Sequence, residues 1–182
     1  MTGRQGLRSR LVTRWALLSL FAVGGLPVTV SAVPAGDGAP VVYLGAQRIN
    51  ASETLDLYCH DRDYPVIRCF RTAEQRATEQ VQAAGGSEAV ALNPTVSALL
   101  SPYVRWYRDA NFTGPSFEAY LSEPYLAAIG WDNQISSFTP LNGGHPVWWS
   151  GPNQSGTKWD WGTASAGVLG SANDQFSSVA KT

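Results

Sequence analysis

The chain has 182 residues, with 13 Lys/Arg against 14 Asp/Glu, two His and two Cys. Such a balance lacks the Lys/Arg surface that phosphate neutralisation requires, so nucleic acid is a poor partner. The length suits one domain with appendages or two small ones.

The chain opens with Arg4, Arg8, Arg10 and Arg14, then an apolar run from Trp15 to Val23, then Gly24, Gly25, Pro27 and the small residues Val30-Ser31-Ala32. A positive flank, a short apolar stretch and small residues at a cleavage point are the layout of a secretory signal over residues 1–32. The two glycines and the proline interrupt the run before it reaches the roughly 18 apolar residues a membrane anchor needs. Cleavage after Ala32 predicts a secreted, extracellular protein with no membrane attachment. Because the leader holds four arginines and no acid, the mature chain is mildly acidic and able to attract cations.

Residues 33–101 read as an N-terminal segment. Residues 33–41 are Pro/Gly-rich and without periodicity, which predicts a flexible start. Val41-Val42-Tyr43-Leu44 and Val66-Ile67-Arg68-Cys69-Phe70 favour strands, and the polar run His60-Asp61-Arg62-Asp63 between them reads as a solvated turn. Cys59 and Cys69, an even pair in an exported chain, predict one disulfide across that turn. Thr72 followed by Gln75 resembles a capping box and Gly85 a stop, giving one short helix over 73–84. Its apolar face, Ala73, Ala77, Val81 and Ala84, is thin, and residues 85–101 read as a linker.

From residue 102 to 182 the texture changes. Every tryptophan but Trp15 lies here, and Gly, Ser, Asn and Asp punctuate short aromatic-rich strands, the pattern of a small antiparallel sandwich. The region is duplicated. Tyr107 to Gly114 aligns with Trp149 to Gly156, and Asp132-Asn133-Gln134-Ile135-Ser136-Ser137 aligns with Asn173-Asp174-Gln175-Phe176-Ser177-Ser178.

Each copy resembles a Greek key motif of the βγ-crystallin superfamily. The aromatic, four residues, aromatic, any residue, glycine signature fits Tyr107, Phe112 and Gly114; the second copy departs from it with Gln154 at the second aromatic position. The hexapeptide of calcium-binding members, Asn or Asp twice, two free positions, Ser or Thr, then Ser, fits DNQISS and NDQFSS. The resemblance implies an all-β, βγ-crystallin-like double Greek key sandwich, preceded by the small N-terminal segment with its disulfide and helix. It also implies Ca²⁺ as ligand, held by Asp132, Asn133, Gln134, Ser136, Asn173, Asp174, Gln175 and Ser177. Each site would combine an acidic or amide side chain and the Gln134 or Gln175 carbonyl of one copy with a serine hydroxyl and a loop carbonyl near Asp109 or Gly151 of the other.

Independently of the resemblance, alternation turns Ile135 and Phe176 inward and leaves the flanking oxygens on the loops, where a hard cation could collect six to eight of them. The same residues also suit ordinary turns, since Asx and Ser side chains bond their own backbone. No catalytic motif is present around His60 or His145, so the chain reads as non-enzymatic. Two further partners are kept as alternatives. A crystallin-like fold can serve as an extracellular protease inhibitor, and exposed rings among Trp148, Trp149, Trp159 and Trp161 could stack on a cell-wall glycan, although such rings more often fill a core.

Overall fold

The computed structural model describes residues 39–83 and 101–182; the leader, the start of the mature chain and the linker lie outside them. Two strands bracket each tight turn early in the chain. β1 (Val41–Leu44) folds back on β2 (Gln47–Ile49), a short 3₁₀ turn covers Ala51–Asp56, and β3 (Tyr58–Asp63) pairs with β4 (Val66–Phe70). Helix α1 (Ala73–Ala83) follows. The duplicated region supplies β5 (Val104–Tyr107), β6 (Ser116–Ala119) and β7 (Ser137–Pro140), then β8 (Pro146–Gly151), β9 (Ser155–Asp160) and β10 (Ser178–Lys181).

These strands form a seven-stranded sheet in the order β2-β1-β4-β3-β6-β5-β7 and a three-stranded sheet in the order β10-β8-β9. Each copy lends a single bridging residue to the other sheet. Glu123 of the first copy pairs with Val179 in β10, and Ala166 of the second pairs with Phe138 in β7. This exchange interlocks the two copies, as a double Greek key requires.

Between the sheets lies an aromatic core. Trp106, Trp131, Trp148, Phe117, Phe138 and Phe176 are fully buried. Trp106 stacks on Phe117 with centroids 4.8 Å apart, its counterpart Trp148 stacks on Phe176 at 4.7 Å, and the two indoles meet edge to face at 5.8 Å. Fully burying one such ring is worth about 2–3 kcal/mol.

The sequence left the path of the N-terminal segment open. In the structure β3 runs parallel to β6, with Cys59 beside Phe117, so the segment extends the sheet of the first copy, and the described residues fall within a single unit. Cys59 and Cys69 are directly opposed in the β3–β4 ladder and joined by a disulfide.

One expectation for this segment is corrected. His60-Asp61-Arg62-Asp63 is not a solvated turn. It belongs to β3, His60 and Asp61 are fully buried, and the reversal falls between Asp63 and Val66. A strand paired on both sides can bury polar groups when each finds a partner. His60 Nε2 meets Glu79 Oε2 of α1 at 3.0 Å, and the Asp61 carboxylate accepts backbone N–H groups.

Helix α1, whose apolar face is thin, docks by a polar face instead. Val81 is 49% exposed, whereas Arg76 is 3% exposed. Arg76 pairs with Glu118 at 3.1 Å and donates to Ser116 Oγ at 3.1 Å, while Gln80 donates to Glu118 and to the Tyr120 hydroxyl. The helix is held by charge and hydrogen bonds to β6. Its cap also shifts, since the Gln75 N–H donates to Thr72 Oγ1 but the Gln75 side chain accepts from Arg71 N–H.

Candidate metal centre

Each copy builds its loop pair on the same scaffold. In the first hairpin Asn111, Phe112 and Gly114 have φ of 57°, 63° and 77°; in the second Asn153, Gln154 and Gly156 have 53°, 60° and 81°. Glycine fits the last position because a Cβ at Gly114 would lie 2.2 Å from Asp109 Oδ2, and one at Gly156 would lie 2.4 Å from Ser150 Oγ. Ring packing distinguishes the copies: Tyr107 and Phe112 meet edge to face at 5.9 Å, a contact Gln154 cannot reproduce.

The last serine of each hexapeptide clamps the hairpin of its own copy. Ser137 Oγ donates to the Asp109 carbonyl at 2.6 Å and accepts the Phe112 N–H at 3.0 Å; Ser178 Oγ donates to the Gly151 carbonyl at 2.7 Å and accepts the Gln154 N–H at 3.1 Å. Ser137 and Ser178 lie outside the ligand set that the βγ-crystallin resemblance implies. The signal for their clamp was available, because a hydroxyl that is both donor and acceptor is the common feature of the two final positions.

The hexapeptides face one another across the interlocked copies. The Asn133 N–H donates to the Phe176 carbonyl at 2.9 Å and the Asp174 N–H to the Ile135 carbonyl at 3.1 Å. Both donors have positive φ, 55° and 52°, which turns the flanking oxygens out of the strands. Ile135 and Phe176 are fully buried, as alternation predicts. Ser136 and Ser177 are tied by their N–H groups to the Tyr107 and Trp149 carbonyls at 3.1 and 2.8 Å, so each site-facing serine is fixed to the hairpin of its own copy.

The candidate ligands are not all gathered equally. Ser136 Oγ of the first copy lies 3.4 Å from Asp174 Oδ1 of the second. Asp132 and Asn133 are joined side chain to side chain at 3.1 Å, and Asn173 donates to Asp174 Oδ2 at 2.7 Å. Gln175 turns its amide back on the Asp174 carbonyl at 3.0 Å. Ser177 is buried and its carbonyl accepts the Leu126 N–H, while Asn173, Asp174 and Gln175 are exposed and Gln134 is half-buried.

Among the described residues, no three His, Cys, Asp or Glu side chains cluster as a metal set. The donors at the hexapeptides are one carboxylate per loop together with amide, hydroxyl and carbonyl oxygens, an all-oxygen set that matches calcium rather than zinc. Within the described ion pairs, neither Asp132 nor Asp174 is taken by a lysine or arginine.

Among the described residues, no tryptophan is fully exposed. Trp148 is fully buried, Trp149 is half-buried, and Trp159 and Trp161 pack against the core, both edge to face on Phe176.

No protein-family model matches the sequence, and no curated protein matches it. Among solved structures, a βγ-crystallin from an archaeon is 27% identical, aligned over 45% of this chain and 98% of its own, with a TM-score of 0.40. The βγ-crystallin from Ciona intestinalis is 22% identical over 43% of this chain and 98% of its own, with a TM-score of 0.41. A βγ-crystallin domain from Clostridium beijerinckii is 24% identical over 43% of this chain and 95% of its own, at 0.40. By its duplicated hairpin and hexapeptide and by the exchange of Glu123 and Ala166 between sheets, the C-terminal part of the chain is a βγ-crystallin-like double Greek key.

Proposed function

We propose that the protein is a secreted, non-enzymatic calcium-binding protein in which the ion stabilises the fold. The observation that carries this reading is the reach of Ser136 Oγ of one copy to within 3.4 Å of Asp174 Oδ1 of the other. A hydroxyl and a carboxylate from different copies converge there with neutral oxygens around them, a set suited to a hard cation. With few charged ligands per site, affinity falls toward the weak range of about 10⁻⁶ to 10⁻³ M. Export is supported by the leader and the disulfide, which persists in oxidising compartments.

The alternative partners draw no comparable support. Cys59–Cys69 sits within a sheet ladder rather than beneath a projecting loop, and the candidate sugar-stacking rings are buried or half-buried. The test is a calorimetric calcium titration of the protein, of Ser136→Arg and of Asp174→Asn. Binding heat in the first that weakens in both variants supports the reading; absence of heat in the unaltered protein removes it.

A further inference from the structure

A second cluster lies away from the hexapeptides, where the N-terminal strands meet the double Greek key. Asp61 of β3 and Glu123 of the exchanged segment are both buried, and their carboxyl groups lie close enough to act on each other's proton. Both Asp61 oxygens are already acceptors: Oδ1 takes the Tyr120 N–H at 2.7 Å and Oδ2 the Leu121 N–H at 3.2 Å. Asp61 is thereby held as an acceptor, so a proton shared between the two carboxyls sits on Glu123. Glu123 Oε1 is buried with no protein partner, the poor environment for an anion that a protonated carboxyl tolerates. The backbone of Glu123 exchanges two 2.9 Å hydrogen bonds with Val179 of β10. The pair therefore joins the N-terminal strands, the first copy and the second copy at one point.

We propose that Asp61 and Glu123 share a single proton and act as a pH-sensitive latch, fastening β3 to the 120–123 segment while the proton is held and loosening that junction when it leaves. Burial pushes Glu123 up to about 9, with the Asp61 charge and hydrogen bond adding to it. Burial likewise pushes Asp61 up to about 6, against the Tyr120 and Leu121 N–H groups and the bond to Glu123. The other titratable groups facing the pair are phenols and one imidazole. Tyr103, before β5, and Tyr64, after β3, are raised by burial and by the two carboxyl charges, and Tyr120 is raised by burial and by Glu118 and Asp61. His60, the chain neighbour of Asp61, is lowered by burial despite Glu79. Lys181 Nζ of β10 lies 5.6 Å from the Tyr103 ring centroid. With their pKa values raised the phenols stay protonated, and with its pKa lowered the imidazole stays neutral, from pH 7 to 9, which leaves the shared proton as the one that titrates there among these groups.

The sign follows from linkage. A carboxyl with a raised folded pKa contributes stability that is complete below its ordinary unfolded value and is lost as pH rises to the folded one. Between pH 7 and 8 the folded chain keeps a proton that the unfolded chain has lost, so the unfolding constant rises by about tenfold over that unit and less steeply as pH nears 9, where the folded chain loses it too.

The test is urea unfolding of the protein and of Glu123→Gln at pH 7, 8 and 9, with amide exchange at Tyr120 and Leu121. Glutamine keeps a donor toward Asp61 but has no proton to lose. We expect the unaltered protein to lose stability more steeply than the variant by about that tenfold between pH 7 and 8, and its Tyr120 and Leu121 amides to open faster at pH 9 beyond base catalysis. Parallel pH profiles overturn the proposal. If Glu123→Gln does not fold, carboxyl ¹³C titration of the unaltered protein decides: one glutamate ionising above pH 7 supports the latch, and all carboxyls ionised by pH 6 refute it.

Discussion

Replacing Glu118 with alanine tests whether the N-terminal segment is integral to the fold. Glu118 is 2% exposed and pairs with Arg76 and Arg105, and Gln80 donates to its other oxygen at 2.5 Å. Burial pushes its carboxyl up, but the two guanidinium groups outweigh burial and hold it below the usual glutamate range. Truncation strands the Arg76 guanidinium, itself 3% exposed, with the Ser116 hydrogen bonds and the Tyr58 ring 6.0 Å away as its remaining contacts; Arg105 is 34% exposed and can turn to water. Removing one partner of a buried pair costs about 3–5 kcal/mol, and the freedom of Arg105 puts this case near 3. The assay is urea unfolding followed by both helix signal and tryptophan fluorescence. A fall of that size seen by both probes is expected, and Glu118→Leu combined with Arg76→Met should recover most of it, since an apolar pair of similar volume is often neutral. A loss below about 1 kcal/mol, the range of an exposed pair, would refute the reasoning. Because the folded pKa of Glu118 is depressed, its contribution is present above the ordinary glutamate value and fades on acidification below it.

Other expectations can be checked by the same unfolding measurements. Ser137→Ala removes a buried hydroxyl that serves both the Asp109 carbonyl and the Phe112 N–H, so it should cost about 1–3 kcal/mol, and Ser178→Ala a similar amount. Gly114→Ala places a Cβ 2.2 Å from Asp109 Oδ2 at a φ of 77° and should cost about 1–3 kcal/mol of strain, read as a lower urea midpoint. Replacing Cys59 and Cys69 with serine opens a loop of sequence separation 10 and should cost about 2–3 kcal/mol in the chain-entropy account.

How much of this was readable beforehand depends on the range of the interactions. The hairpins and hexapeptides were legible because their chemistry repeats: glycine at 114 and 156 answers a need within its own turn, and the Asx-Asx and serine positions recur in both copies. Helix α1 was legible as a helix from its cap and stop. Its docking face was not, because Arg76 and Gln80 are held by partners on β6 about 40 positions away, and no apolar period marks them. His60 and Asp61 misled for the same reason. Polar residues between two strand-like pieces read as a turn, yet each found a distant partner, Glu79 for one and the Tyr120 amide for the other. The parallel pairing of β3 with β6 leaves no local trace either, since the partner of each strand lies more than 50 positions away and nothing in YCHDRD or SFEA marks it.

The proposal of calcium binding is tested most directly by thermal unfolding with 10 mM calcium against chelator, supported by the titration heat. A site with a dissociation constant near 10⁻⁴ M would be about 100-fold saturated, which stabilises the folded state by about 2.7 kcal/mol. For a chain of this length that corresponds to a rise in Tm of roughly 5–10 °C, diminished in Ser136→Arg and Asp174→Asn. An unchanged Tm with no heat of binding would contradict the proposal.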